Sequence, residues 1–196
     1  MGSVPAGLGA TWSAYAETEA NRHLPPSAKN LSALRSRLGR ELGPTGDDPS
    51  RYEATDAKDR QILADAVAAG AAFIITRNIA DFSLADLTGA GIAAVDPDLF
   101  MSIRFNADTH RHALELLIEN MRNPPRSAAD MHALLGKRHP RLVSRHAALF
   151  DTTPAAPTQP PPADIYRGAR CVLCGRTLRN PASLHDGLGS DCKHKV

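Results

Sequence analysis

The chain has 196 residues, 42% hydrophobic and 22% charged, with a formal net charge of +2. This balance belongs to a globular chain of one ordinary domain plus an appendage, and it excludes disordered and collagen-like classes. The charge is too small to announce nucleic-acid binding, no run approaches the ~18 apolar residues of a membrane span, and Met1-Gly2-Ser3-Val4 lacks a secretory signal's basic start. Ala14 to Leu24 and Leu31 to Leu42 then read as helices split by Pro25-Pro26. Asp59 to Ala69 sets Ile62, Leu63, Ala66 and Val67 on one helical stripe, and Gly70 ends it. Phe73-Ile74-Ile75-Thr76 is apolar and β-branched, as in a buried parallel strand. Asp86 to Ala90 predicts a short helix, and Ile92 to Val95 a second strand ended by Asp96-Pro97. Helix and strand alternating in this way imply an α/β layering with a parallel sheet.

Beyond Asp108 the pattern is helical. Ala113, Leu114, Leu117, Ile118 and Met121 make one stripe that stops at Asn123-Pro124-Pro125. Ser127 and Asp130 form a capping pair for a helix carrying Met131, Leu134 and Leu135, and a last helix spans Leu142 to Phe150. The predicted organisation is an α/β domain at 1–102, a helical extension at 103–150, a proline-rich tether at 151–163, and a small module at 164–196.

Charge is unevenly spread. Aspartates collect between Arg51 and Asp108, whereas the C-terminal half holds Arg111, Arg122, Arg126, Lys137, Arg138, Arg141, Arg145, Arg167, Arg170, Arg176 and Arg179. This suits a metal-using site beside a polyanion-holding surface, or equally a solvated charged face. Asp56-Ala57-Lys58-Asp59 precedes the apolar helix, where carboxylates commonly serve as caps. Asp81 lies just beyond the strand Phe73–Thr76, and residues past a parallel strand's C-terminal end line the ligand-binding edge. The helix opening at Asp59 starts at that same edge if it packs on the strand. Asp59, Asn78 and Asp81 are therefore expected to converge, and converging carboxylates ionise together only around a cation such as Mg²⁺ or Mn²⁺.

The run Asp56 to Ala66, followed by Ala72 to Phe82 and Val95-Asp96-Pro97-Asp98-Leu99-Phe100, resembles the second half of a PIN domain. The helical tail with Arg122-Asn123-Pro124-Pro125 is similar to the extension in one subgroup of VapC toxins. The resemblance covers about residues 11–150. It implies a metal-dependent endoribonuclease, the toxin of a toxin–antitoxin pair, with RNA as substrate and an antitoxin and a second copy of the chain as partners. Carried over by position, it implies catalytic roles for Glu19, Asp59, Asn78 and Asp81. Glu17 is the less suited occupant of the Glu19 place, and Asp56 is an accessory metal ligand. No strand ending in aspartate precedes Trp12, so the expected sheet is incomplete and the site is short of one carboxylate. A non-catalytic nucleic-acid- or protein-binding role is the alternative.

Cys171-Val172-Leu173-Cys174-Gly175-Arg176 has the zinc-knuckle form, with Cys192 returning as a third sulfur and His194 or His185 as the fourth ligand. Thiol redox chemistry is the competing reading. A segment this small needs a staple, and an odd cysteine count in a cytoplasmic protein disfavours disulfides. The pattern running from Cys171 to Cys192 resembles a short uncharacterised bacterial and phage family with three cysteines. Arg176, Arg179, Lys193 and Lys195 suit phosphate contact or solubility equally. His110, His112, His132, His139 and His146 read as solvated positions.

Overall fold

Phe73–Ile75 forms strand β1 and Ala93–Val95 forms β2, paired in parallel with Phe73 opposite Ala93 and Ile75 opposite Val95. Their connection is α4 (Leu84–Ala90), capped by Ser83, whose hydroxyl accepts from Ala85 N, and ended by Gly91 at φ +68°. These observations come from a computed structural model, which describes residues 9–25, 28, 30–119, 126–151 and 164–196. A third strand, β3 (Tyr166–Gly168), lies on the far side of β2 and runs antiparallel to it, with Gly168 opposite Ala93 and Tyr166 opposite Val95. The sheet is therefore mixed, whereas the sequence predicts a parallel one.

The order β1-β2-β3 makes β2 central, and its residues are fully buried. Alternation along a strand sends neighbouring side chains to opposite faces. Ala94 accordingly joins a core with Tyr52, Leu63, Ile74, Ile79, Phe82, Leu87 and Ile92. Ala93 and Val95 join a second core with Ile103, Tyr166, Cys171, Val172, Leu178 and Cys192. Residues 164–196, expected as a separate tethered module, thus supply a strand and most of one core to the sheet. The predicted tether lies outside the described residues from 152 to 163, as do the helix stop at 123–125, Met121, Pro26 and residues 1–8.

The remaining elements surround the sheet. Helices α1 (Ala14–Arg22) and α2 (Leu31–Arg37) are shorter than predicted, and a parallel bridge joins Trp12 to Leu42. Helix α3 (Arg60–Ala68) packs Leu63 and Ala64 into the first core. Asp96 caps α5 (Pro97–Arg104), accepting from Asp98 N at 2.8 Å, and Pro97 stands at its first turn. Helices α6 (Ala107–Glu119), α7 (Ala128–Leu135) and α8 (Pro140–Arg145) form the extension, and α8 lies along α5. The predicted Ser127–Asp130 pair closes a full capping box on α7. Asp98 fastens α8 by accepting from Arg141 N at 3.0 Å and Leu142 N at 2.9 Å.

Three histidines expected in solvent are buried instead. His110, His132 and His146 meet inside the extension, with His110 Nε2 and His132 Nδ1 2.8 Å apart and the rings of His110 and His146 stacked at 4.8 Å. Phe150 packs against the first two. Neutral imidazole is apolar on its faces and packs here as core, with His146 Nε2 on Phe105 O at 3.1 Å and the buried His132 Nε2 left without a partner.

Candidate metal centre and acidic cluster

The C-terminal thiols are brought together by two turns. Gly175 N donates to Cys171 O at 2.8 Å, and Gly175 sits at φ +74°, which closes the C-x-x-C loop. An antiparallel bridge from Arg170 to Thr177 braces this loop. Cys192 is carried back on α10 (Ser190–Lys193) by the Gly187–Gly189 segment, whose Gly187 O accepts from Val172 N at 2.8 Å. The three sulfurs lie within 4.8 Å of one another. Cys171 and Cys192 are buried in the second core and Cys174 is exposed.

Burial opposes ionisation of Cys171. The N–H groups of Gly189, Cys174 and Leu173 and the Cys174 thiol nevertheless outweigh it and hold its titration below the ordinary thiol value. Cys192 is pushed up to about 11, chiefly because it hydrogen-bonds Cys174 and then because it is buried. Three thiols this close are a donor set for one soft or borderline cation such as zinc. Neither predicted histidine enters the group. His194 stands two residues past Cys192 at the end of α10, and side chains at i and i+2 of a helical turn do not face each other. His185 is turned to solvent and bonds Asp186 at 2.8 Å.

The acidic residues are gathered by a stitched loop. Asp56 N donates to Asp81 O at 2.9 Å, Thr55 N to an Asp86 carboxylate oxygen at 2.8 Å, and Ser83 N to the Thr55 hydroxyl at 3.2 Å. This brings Asp59, Asn78 and Asp81 together at the C-terminal end of β1. Asn78 Nδ2 donates to Asp81, and the Asp59 carboxyl lies close enough to Asp81 to feel its charge. Asp59 stands at the N-cap position of α3 without bonding its backbone, and its buried Oδ2 has no partner. Burial, with Asp81 adding to it against the opposing pull of Lys58, pushes Asp59 up to about 6.

Lys58, which the sequence reasoning passed over, places its ammonium 2.7 Å from Asp81 and holds that carboxyl below its usual range. A cation drawn between two aspartates of the same motif was the available signal. Lys58 thus meets the Asp81 carboxylate with a positive charge from within the chain. Asp56 caps its own turn by accepting from Lys58 N at 3.1 Å. Glu19 does not join: it pairs with Arg22 and reaches His23 on the outside of α1. Glu17 is buried and bound by Arg35 at 2.7 Å and by the Ser32 hydroxyl, a structural role. Among the described residues, the three cysteines are the only group of three such ligands close enough to hold one ion.

Two arginines counted with the polyanion-holding face are structural. Arg167 donates to Ala80 O and Phe82 O at 3.0 and 2.9 Å, and Arg170 to Gly91 O and Gly175 O, so both clamp the C-terminal segment to the α/β layer. Among the described residues no helix is long and apolar enough to cross a membrane.

Residues 161–196 match a family of unknown function, DUF6011. No curated protein and no solved structure matches the chain.

Proposed function

We propose that this chain is a zinc-binding, nucleic-acid-contacting protein without catalysis, in which Cys171, Cys174 and Cys192 hold Zn²⁺. The observation that carries the reading is the cluster of three sulfurs within 4.8 Å, two of them embedded in the core that β3 completes. A cation bound there fixes the C-terminal segment on the sheet by replacing mutually repelling thiolates with metal–sulfur bonds. Arg176 and Arg179 stand beside the knuckle and form no ion pair among the described residues, which suits phosphate contact. Metal analysis of the purified chain tests the reading. One zinc per chain, lost in Cys174→Ser, is the expected result, and a folded metal-free protein overturns it.

A second reading is a metal-dependent endoribonuclease of the toxin type, acting on RNA, with an antitoxin and a second copy as partners. One observation favours it: the unpartnered, buried Asp59 oxygen beside Asp81 and Asn78. It requires a divalent ion to displace Lys58 from Asp81. RNA cleavage in Mn²⁺ that disappears in EDTA and in Asp59→Asn supports it; no cleavage by folded wild-type protein leaves the binding role alone.

A further inference from the structure

An open groove of about 480 Å³ lies where α5 and α8 meet, lined by Ser102, Pro140, Arg141, Ser144 and Arg145. Arg141 and Arg145 are four residues apart on α8 and so project to one side of the helix. Like charges at this spacing repel. Among the described residues neither arginine forms an ion pair or a side-chain hydrogen bond. Other arginines of the same region are consumed by the fold. Arg104 donates to Leu173 O, Arg167 to Ala80 O and Phe82 O, and Arg170 to Gly91 O.

The groove is also braced. Asp98 is buried and spends both carboxylate oxygens on the backbone N–H groups of Arg141 and Leu142. Its charge fixes the start of α8 and leaves the Arg141 guanidinium free to serve the groove. Ser102 approaches from α5, and its hydroxyl proton goes to Leu99 O at 2.9 Å, so the donors facing the groove come from α8. Ser144 is exposed between the two arginines. Two unpaired guanidinium forks flanking a hydroxyl donor make a receptor for tetrahedral oxyanions, because a phosphate presents several oxygens to planar N–H pairs.

We propose that this groove binds a backbone phosphodiester of single-stranded nucleic acid, Arg141 and Arg145 donating to the non-bridging oxygens and Ser144 adding a hydroxyl donor. The open shape admits a strand passing through, as a closed pocket for a small phosphate ester would not. The proposal rests on the nucleic-acid-contacting reading and places the contact on the helical extension, away from the knuckle.

The test is fluorescence anisotropy of a labelled single-stranded RNA oligonucleotide with the full zinc-loaded chain over a salt series. Arg141→Ala/Arg145→Ala is expected to weaken binding roughly tenfold per arginine and to lower the slope of log affinity against log salt by about 1.4. Ser144→Glu adds a carboxylate at an exposed position, spares the packing, and is expected to weaken binding as well. If both variants bind like wild type while Arg176→Ala/Arg179→Ala fails, the groove is wrong and the wider reading stands. Absence of binding by wild type overturns both. A double variant that loses binding together with its melting transition, while Ser144→Glu binds normally, makes the arginines structural and overturns the proposal. Inorganic phosphate displacing the oligonucleotide at stoichiometric levels assigns the groove to a small anion and likewise overturns it.

Discussion

Acid should loosen the helical extension at pH values where most carboxylates are still ionised. His110 is 2% exposed, faces His132 and His146, and is held near 4 by burial and then by its two neighbours. None of the three rings is paired with a carboxylate among the described residues. An unfolded chain takes up a proton at this histidine near its ordinary value of 6.5, whereas the folded chain resists until about 4. Between those values the unfolded state binds more protons, so stability falls as pH falls. The loss runs at about 1.4 kcal/mol per pH unit and totals about 3 kcal/mol once the folded form also titrates. His132 and His146 are lowered in the same direction, by burial first, and add to it. Asp59, raised to about 6, works the opposite way and masks part of the loss. The decisive quantity is therefore a difference between two proteins. Urea unfolding followed by circular dichroism from about pH 7 to about pH 5 is expected to give a shallower decline for His110→Leu than for wild type. Parallel curves for the two would refute the reasoning.

Asp59→Asn removes a carboxylate that the fold holds against its preference. It is expected to raise stability at pH 8 by up to about 3 kcal/mol, with little change near pH 4, in the same unfolding assay. Chelation of metal from the wild-type chain, or Cys174→Ser, is expected to increase amide exchange along Tyr166–Gly168 and β2 while α6 and α7 stay protected. Leu63→Ala empties a fully buried position in the first core and is expected to cost about 2–5 kcal/mol in denaturant titration. Gly168→Ala places a Cβ 2.6 Å from Ala93 Cα at φ +139°, and a loss of more than about 1 kcal/mol is expected.

β1 and β2 were legible as short apolar runs set off by turn residues, although Ile75, expected inside a buried strand, is exposed at the sheet's edge. The Ser127–Asp130 cap was legible because its chemistry is local. Helix α5 had a readable start in Asp96-Pro97, a cap followed by the residue that tolerates the first turn, but that pair also serves to end a strand. β3 was not readable at all. Tyr-Arg-Gly has no alternating pattern, and its extended form comes from pairing with β2 across a long stretch of chain. The burial of His110 had a faint signal, one turn ahead of buried Leu114 on α6, but its partners at 132 and 146 come from other helices. In the acidic cluster, proximity to β1 could be reasoned from topology. Whether Lys58 reaches Asp81 depends on one side chain's extent, which no spacing rule encodes.

Because β3 closes the sheet from the last part of the chain, assembly has an order imposed by synthesis. Until Tyr166–Gly168 is made, one edge of β2 has its peptide groups unpaired, and Ala93 and Val95 lack their covering layer. The second core thus closes only once Tyr166–Gly168 is in place beside β2.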